Sequence, residues 1–293
     1  MEKSRGTINQ EDYNPYWKTR TKKESDRLER GEYLCSVGGN KFSEEACIVL
    51  SDLHFGRRTL TYNQEISGKR LLTLSEKILV SSDTLVCDKT INILMLGDIL
   101  DGQDIFPSHA KESESHLMGQ IYDIALPQTL EFILRLSRYF DKIRIFCVAG
   151  NHGRISKASS DETNFENMFY DILRSYVVSE IGKEKVFFKI SPQWYSLVKI
   201  NNHGFLLTHG ANINRHLNLP FYGMRRMGME WQCSFPLARW EYLMMGHHHV
   251  PAFIRASSYD IYVNGSMMSG DEWARMVMGE RIQPSQIFFV LYT

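Results

Sequence analysis

The sequence is short of the features that mark unusual proteins. It has five cysteines in 293 residues (Cys35, Cys47, Cys87, Cys147 and Cys233), an odd number with no Cys-x-x-Cys pair. That argues against a disulfide framework or a thiolate zinc site and for a reducing cytosol, so a cytoplasmic location is expected. There is no uninterrupted apolar run of about 18 residues. The opening residues, Met1-Glu2-Lys3-Ser4-Arg5, form no apolar signal core, so neither a membrane span nor export is expected. Excess charge is missing too: 34 Lys+Arg balance 34 Asp+Glu. With no global positive field, any polyanion must be held locally. A hydrophobic content of 43% and a charged content of 23% exclude whole-chain disorder and fibrous architectures, and the length suits one large α/β domain.

Two regions differ in texture. Residues 1–44 are dense in charge (Lys18, Arg20, Lys22, Lys23, Glu24, Asp26, Arg27, Glu29, Arg30) with Tyr13, Tyr16 and Trp17 interspersed. They read as an arm, either a solvated face wrapping the domain or a grip for a partner or DNA. From residue 45 to 293 the pattern becomes short apolar runs, each ending in a Gly/Asp/His/Asn cluster. Cys47–Leu50, Ile93–Leu96, Ile143–Val148, Phe205–Leu207 and Tyr242–Met245 read as buried strands. Between them, Thr163-x-x-Glu166 reads as a capping box, opening a helix that carries Phe165, Met168, Phe169, Ile172, Leu173, Tyr176 and Val177 inward. A second helix is expected from Pro127, burying Leu130, Ile133, Leu134 and Tyr139. Alternating strands and helices imply a layered α/β fold with function at the strand C-termini.

Five polar clusters close those strands: Ser51-Asp52-Leu53-His54-Phe55-Gly56, Gly97-Asp98-Ile99-Leu100-Asp101-Gly102, Gly150-Asn151-His152-Gly153-Arg154, Thr208-His209-Gly210 and Gly246-His247-His248-His249. Singly, each is an ordinary turn or surface histidine. Jointly, at successive strand ends, they assemble carboxylate, carboxamide and imidazole donors without thiolate, a set suited to Mn, Fe, Zn or Ni. In Asp52-x-His54 and His247-x-His249 the alternation of an extended chain points both side chains the same way, while His248 points the other way, toward a supporting or substrate role.

In these blocks the sequence resembles the calcineurin-like metallophosphoesterase superfamily, whose pattern is D-x-H, G-D-x-x-D, G-N-H-[D/E], a lone H, and G-H-x-H. The resemblance implies a four-layer sandwich of two packed mixed β-sheets flanked by helices, with two divalent metal ions, manganese foremost, at one edge. By position, Asp52, His54 and His249 would hold the first metal, Asn151, His209 and His247 the second, and Asp98 would bridge them. The implied chemistry is in-line attack on a phosphoester by a bridging hydroxide, with His152 as general acid and Asp101 orienting it.

Two departures stand out. Gly153 occupies the position of the family's acidic residue, with Arg154 next, either a phosphate contact or an exposed loop arginine. Asp101 is followed by Gly102-Gln103, unlike the Arg-Gly of protein phosphatases. The stretch Phe221–Met227, with Arg225 and Arg226, reads either as a base-stacking, phosphate-holding segment or as a plain helix start. Among relatives the arrangement looks most like the DNA-repair exonuclease branch and phage phosphoesterases, which would act in the host cytoplasm. A phosphodiesterase acting on DNA is therefore expected, with a small-molecule phosphatase, a cyclic-nucleotide diesterase and a non-catalytic scaffold as alternatives. The oligomeric state, a homodimer included, stays open.

Overall fold

The computed structural model describes residues 35–37, 43–86, 88–103, 105, 112–156, 159, 163–213, 220–235, 238–270 and 283–292. Most of the charged arm, with Tyr13, Tyr16 and Trp17, lies outside them, as do His109 and His216. The strands are β1 (Cys35–Val37), β2 (Glu44–Leu50), β3 (Thr90–Met95), β4 (Lys142–Cys147), β5 (Val186–Ile190), β6 (Tyr195–Ile200), β7 (His203–Thr208), β8 (Tyr242–Met245), β9 (Ala252–Arg255), β10 (Asp260–Val263) and β11 (Phe288–Tyr292). They form two mixed sheets, in the orders β11-β2-β3-β4-β5 and β1-β6-β7-β8-β10-β9. Strands β2 to β5 are parallel, so their C-termini share an edge. In the other sheet β7 is parallel to β8. Cys35–Val37, the end of the charged region, pairs with β6 as an edge strand.

Strand alternation explains the layering. On β2, Cys47 and Val49 face the second sheet and meet Phe146, Val148, Val198, Phe205, Leu207 and Met244 in a core between the sheets. Their neighbours Ile48 and Leu50 face outward, beneath the helices α1 (Gln64–Leu85), α2 (Leu126–Ser137) and α3 (Phe165–Ile181). On the far side, Leu206, Leu243 and Ile261 pack against Met224 and Trp231 of α4 (Phe221–Ser234). A strand buried on both faces needs an unbroken apolar run, which is what the sequence supplies. The result is the expected α/β four-layer sandwich of two mixed sheets flanked by helices.

Two helix faces differ from the sequence expectation. The helical segment containing α2 begins ahead of Pro127, with a short turn at Leu117–Gly119, capped by the His116 side chain, and a π-helical turn at Gln120–Ala125. Proline lacks an N–H and crowds the preceding turn, and the widened π turn, where Leu126 N–H bonds Ile121 O, accommodates it. The core takes Leu126, Thr129, Phe132, Ile133 and Leu136, leaving Leu130, Leu134 and Tyr139 half-buried. On α3 the N-cap is Asn164, accepting from Glu166 N, and not Thr163. Glu166 turns into the interior instead of closing a capping box, and Met168 and Tyr176 stay 50% and 47% exposed.

Phe146 is fully buried between the sheets. Phe146→Ala should reduce unfolding free energy by about 3–5 kcal/mol in urea titrations, whereas Met168→Ala on the exposed face of α3 should cost less than about 1 kcal/mol.

Candidate metal centre

Five strands deliver side chains to one edge. Asp52 and His54 follow β2, Asp98 and Asp101 follow β3, Asn151 and His152 follow β4, His209 follows β7, and His247 and His249 follow β8. The chain does not reach this convergence by extended alternation. Asp52 (φ 54°), His54 (48°), Asp98 (50°), His247 (67°) and His249 (62°) are left-handed, five of the seven non-glycine positive-φ residues among those described. Each such residue carries about 1–2 kcal/mol of backbone strain, which persists where the surroundings over-determine it. Here main-chain hydrogen bonds lock the loops together: Asp52 N to Gly97 O at 3.0 Å, His54 N to Asp98 O at 3.0 Å and Asp101 N to Phe55 O at 3.0 Å. Gly97 (φ 82°) is required, since a Cβ there would run into the Gly150 main chain, 2.5 Å from its Cα.

Among the described residues the side chains fall into three groups, one of which, His54, Asp101 and His152, shares His54 with the first of the other two. Ligand atoms of Asp52, His54 and His249 lie within 4.8 Å of one another, as do those of Asp98, His209 and His247. In the first group His54 Nδ1 lies 3.2 Å from Asp101 Oδ1, its donor side, which leaves Nε2 as the lone-pair nitrogen 3.2 Å from His249 Nε2. His249 Nε2 is in turn 3.3 Å from Asp52 Oδ1. In the second, His209 Nδ1 donates to Leu96 O at 2.8 Å, so Nε2 faces Asp98 Oδ2 and Asn151 Oδ1, both at 3.0 Å. Each buried group thus aims three or more lone-pair atoms at one point. Protons can relieve this only partly, while a divalent cation accepts all of them, so the residues fit divalent metals of the nitrogen- and oxygen-loving kind.

The electrostatics carry the same signature. Burial opposes ionisation of Asp52 and Asp98, yet His249 for the first and His209 and His152 for the second hold both carboxyls below their ordinary range, Asp98 well below. Burial pulls His209 down, but the Asp98 charge outweighs it and lifts the imidazole to about 9. His54 and His247 are pushed well below the usual imidazole value, by burial first and then by neighbouring histidines. Neutral imidazoles beside ionised carboxylates are the states that bind metal.

The supporting residues take places the sequence did not show. The Asp101 carboxylate orients His54, and its main-chain carbonyl accepts from His152 Nδ1 at 2.9 Å. His152 also donates its N–H to Asp98 Oδ1 at 2.9 Å. His248 is buried with its ring against that of His247. Arg154 is half-buried and forms a bridge with Asn164. Arg225 and Arg226 lie exposed on α4 and make no hydrogen bond or ion pair to the cluster among the described residues. Arg57 is buried in ion pairs with Asp101, 3.7 Å away, and Glu112. Sequence reasoning missed the Arg57 pairing and, above all, Glu166. This buried carboxylate accepts main-chain N–H bonds from Asp98, Ile99, Leu100 and Gly150. Burial and the Asp98 charge push it up to about 7.

With this geometry established, comparison with known proteins is direct. The family model described as calcineurin-like phosphoesterase matches residues 47–268. Solved structures match at low identity and with TM-scores below 0.5. A predicted phosphoesterase from Streptococcus pneumoniae TIGR4 is 12% identical (85% of this chain, 84% of that one, TM-score 0.36). A protein described as a novel archaeal phosphodiesterase is 13% identical (84% and 99%, TM-score 0.37). Vacuolar protein sorting 29 from Cryptosporidium parvum is 12% identical (85% and 86%, TM-score 0.41). No curated protein sequence matches. A match over most of the sandwich, containing all five polar blocks, shows that the chain belongs to the calcineurin-like phosphoesterase family.

Proposed function

We propose that this protein is a phosphodiesterase that works with two divalent cations, manganese foremost, and that DNA is its substrate class. Asp52, His54 and His249 would hold one cation, Asn151, His209 and His247 the other, with Asp98 between them. Such ions supply Lewis acidity toward a phosphoryl oxygen and lower the pKa of water. The observation that carries the reading is the placement of His152. Its ring meets that of His54 edge-on at 4.5 Å, and its Nε2 points at Asp98 Oδ2 from 3.8 Å. Because Nδ1 is committed to the Asp101 carbonyl, Nε2 is the nitrogen that can hand a proton to a leaving oxygen. Its side chain is 17% exposed, so an ester entering from solvent can reach it. Asp101 acts through His54 and His152, setting the orientation of both.

One observation favours the second reading, a small phosphoester such as a monoester or a cyclic nucleotide. Arg57 is neutralised by Asp101 and Glu112, leaving Arg58, Arg154, Arg225 and Arg226 as the cations for a nucleic-acid backbone. A DNA grip from the arm, the 105–120 stretch or the Arg225 region completes the first reading. Most of the arm and part of that stretch lie outside the described residues.

The deciding measurement is hydrolysis of an aryl phosphodiester and its monoester with Mn²⁺. We expect the diester to be preferred and His152→Ala to lower kcat about 10²- to 10⁴-fold with metal content unchanged. Preference for the monoester would move the assignment to a small-molecule phosphatase. On labelled DNA, Arg225→Ala with Arg226→Ala should raise KM while leaving the aryl diester unaffected; equal effects on both substrates would remove this segment from the DNA grip.

Metal binding should also be pH-linked. In metal-free protein His209 is raised to about 9 from an unfolded value of about 6.5. Its pairing with Asp98 therefore stabilises the fold fully below about pH 6.5 and loses that contribution as pH rises through about 9. A cation displaces this proton, so Mn²⁺ affinity should tighten as pH rises toward about 9 and level off above it, with proton release seen by calorimetry in buffers of different ionisation enthalpy. His209→Ala should abolish that release and lose one equivalent of metal; unchanged metal stoichiometry would overturn the ligand assignment.

A further inference from the structure

Glu166 and Gly153 are packed so that only one of them can carry an extended side chain. Glu166 is fully buried in the first turn of α3, and its carboxylate lies against two loops of the metal centre. Oε1 accepts from Ile99 N and, at 3.1 Å, from Leu100 N, while Oε2 accepts from Asp98 N at 3.2 Å and Gly150 N at 2.6 Å. Four main-chain donors on one carboxylate fix the loop bearing Asp98 relative to the loop bearing Asn151 and His152. Gly153 lies on the second of these loops. A Cβ there would stand 2.6 Å from Glu166 Cγ and collide with Asn164 Oδ1. The rest of the junction is equally tied. Phe165 N bonds Gly153 O at 2.8 Å, and Asn164 Nδ2 bonds Gly150 O at 2.8 Å.

We propose that Glu166 is the positioning carboxylate of this centre, reaching in from α3 to the space that an acidic side chain directly after Asn151-His152 would otherwise enter, and that Gly153 is the vacancy that admits it. Glu166 contacts neither substrate nor metal. It acts through the Asp98 and Gly150 backbone, setting the distance between the ligands that the two loops contribute. Four N–H donors converge on it, so a carboxylate satisfies them all. A carboxamide must turn its NH2 toward one pair of donors and loses those bonds. A glycine at position 153 and a buried acid thirteen residues later are then two halves of one arrangement. The inference rests on reading the seven ligands as a metal site, and is independent of which ester is cleaved.

The test is Mn²⁺ affinity by calorimetry, with the fold checked by circular dichroism. Glu166→Ala and Glu166→Gln should each weaken Mn²⁺ binding about 10- to 100-fold, the range found when groups supporting metal ligands are removed. Gly153→Glu alone should weaken it similarly, because two side chains then compete for one space. Gly153→Glu combined with Glu166→Ala and with Asn164→Gly, which clears Asn164 Oδ1 from the added Cβ, should recover binding to within about threefold of wild type, since the acid again reaches the four donors. A merely structural role predicts no such rescue, and binding by the triple variant as weak as that of Glu166→Ala overturns the proposal. So does undiminished affinity in Glu166→Gln, which fills the same volume and carries the test if Glu166→Ala does not fold. Failure of wild type itself to bind Mn²⁺ would instead overturn the metal reading, so the two failures are distinguishable.

Discussion

Lone pairs crowded at one sheet edge are the constraint to which the rest of this structure answers. His209 Nε2, Asp98 Oδ2 and Asn151 Oδ1 meet at about 3.0 Å, with almost no water to solvate them. Acceptors in low dielectric repel unless positive charge lies among them. Without metal, a proton on His209 supplies part of that charge, which is why its affinity for the proton is so high. The same pressure appears as depressed carboxyls at Asp52 and Asp98. Protons and divalent cations are alternative solutions to one electrostatic problem, and the cation solves more of it.

Holding such a cluster together takes rigidity from outside it. Left-handed backbone at Asp52, His54, Asp98, His247 and His249 is disfavoured for each residue alone. The sandwich over-determines it: β2, β3 and β4 are locked in register by parallel pairing, and their C-terminal loops are stitched by main-chain bonds before any side chain is considered. Glu166 extends this stitching across the gap between the Asp98 and Gly150 loops, where no strand pairing remains. Helix α3 thereby belongs to the site as much as to the core it covers.

How much of this was legible in the sequence follows from what each feature depends on. Runs such as Ile143–Val148 announce strands because burial on both faces demands unbroken apolar residues, and the ligand blocks are contiguous motifs at their ends. Asp52, His54, Asp98, Asn151, His209, His247 and His249 could therefore be named, and the structure brings them together. Their backbone conformation could not, because Asp-x-His reads equally well as an extended pair, and left-handed turns arise only once tertiary contacts pay for them. Thr163-x-x-Glu166 misled for a related reason. A local capping signal and a long-range clamp use the same glutamate, and only the fold shows that its oxygens turn inward. The α2 face shifted because Pro127 follows a π turn, which alters the angular phase that helical periodicity assumes.

A charge count links the cluster to the chemistry proposed for it. Asp52, Asp98, Asp101 and Glu166 are four carboxylates buried to 1% exposure or less, while Arg57, the buried cation beside them, is also paired with Glu112. Treating that rim pair as self-compensating leaves at most four negative charges, an upper bound because Glu166 is pushed up to about 7, and the proposed two divalent cations carry as many positive ones. With the proposed two cations the carboxylate charge is offset, and a phosphodiester would bring a single negative charge of its own. His152, anchored through Nδ1 on the Asp101 carbonyl, keeps its Nε2 3.8 Å from Asp98 Oδ2, at the edge where that charge would arrive.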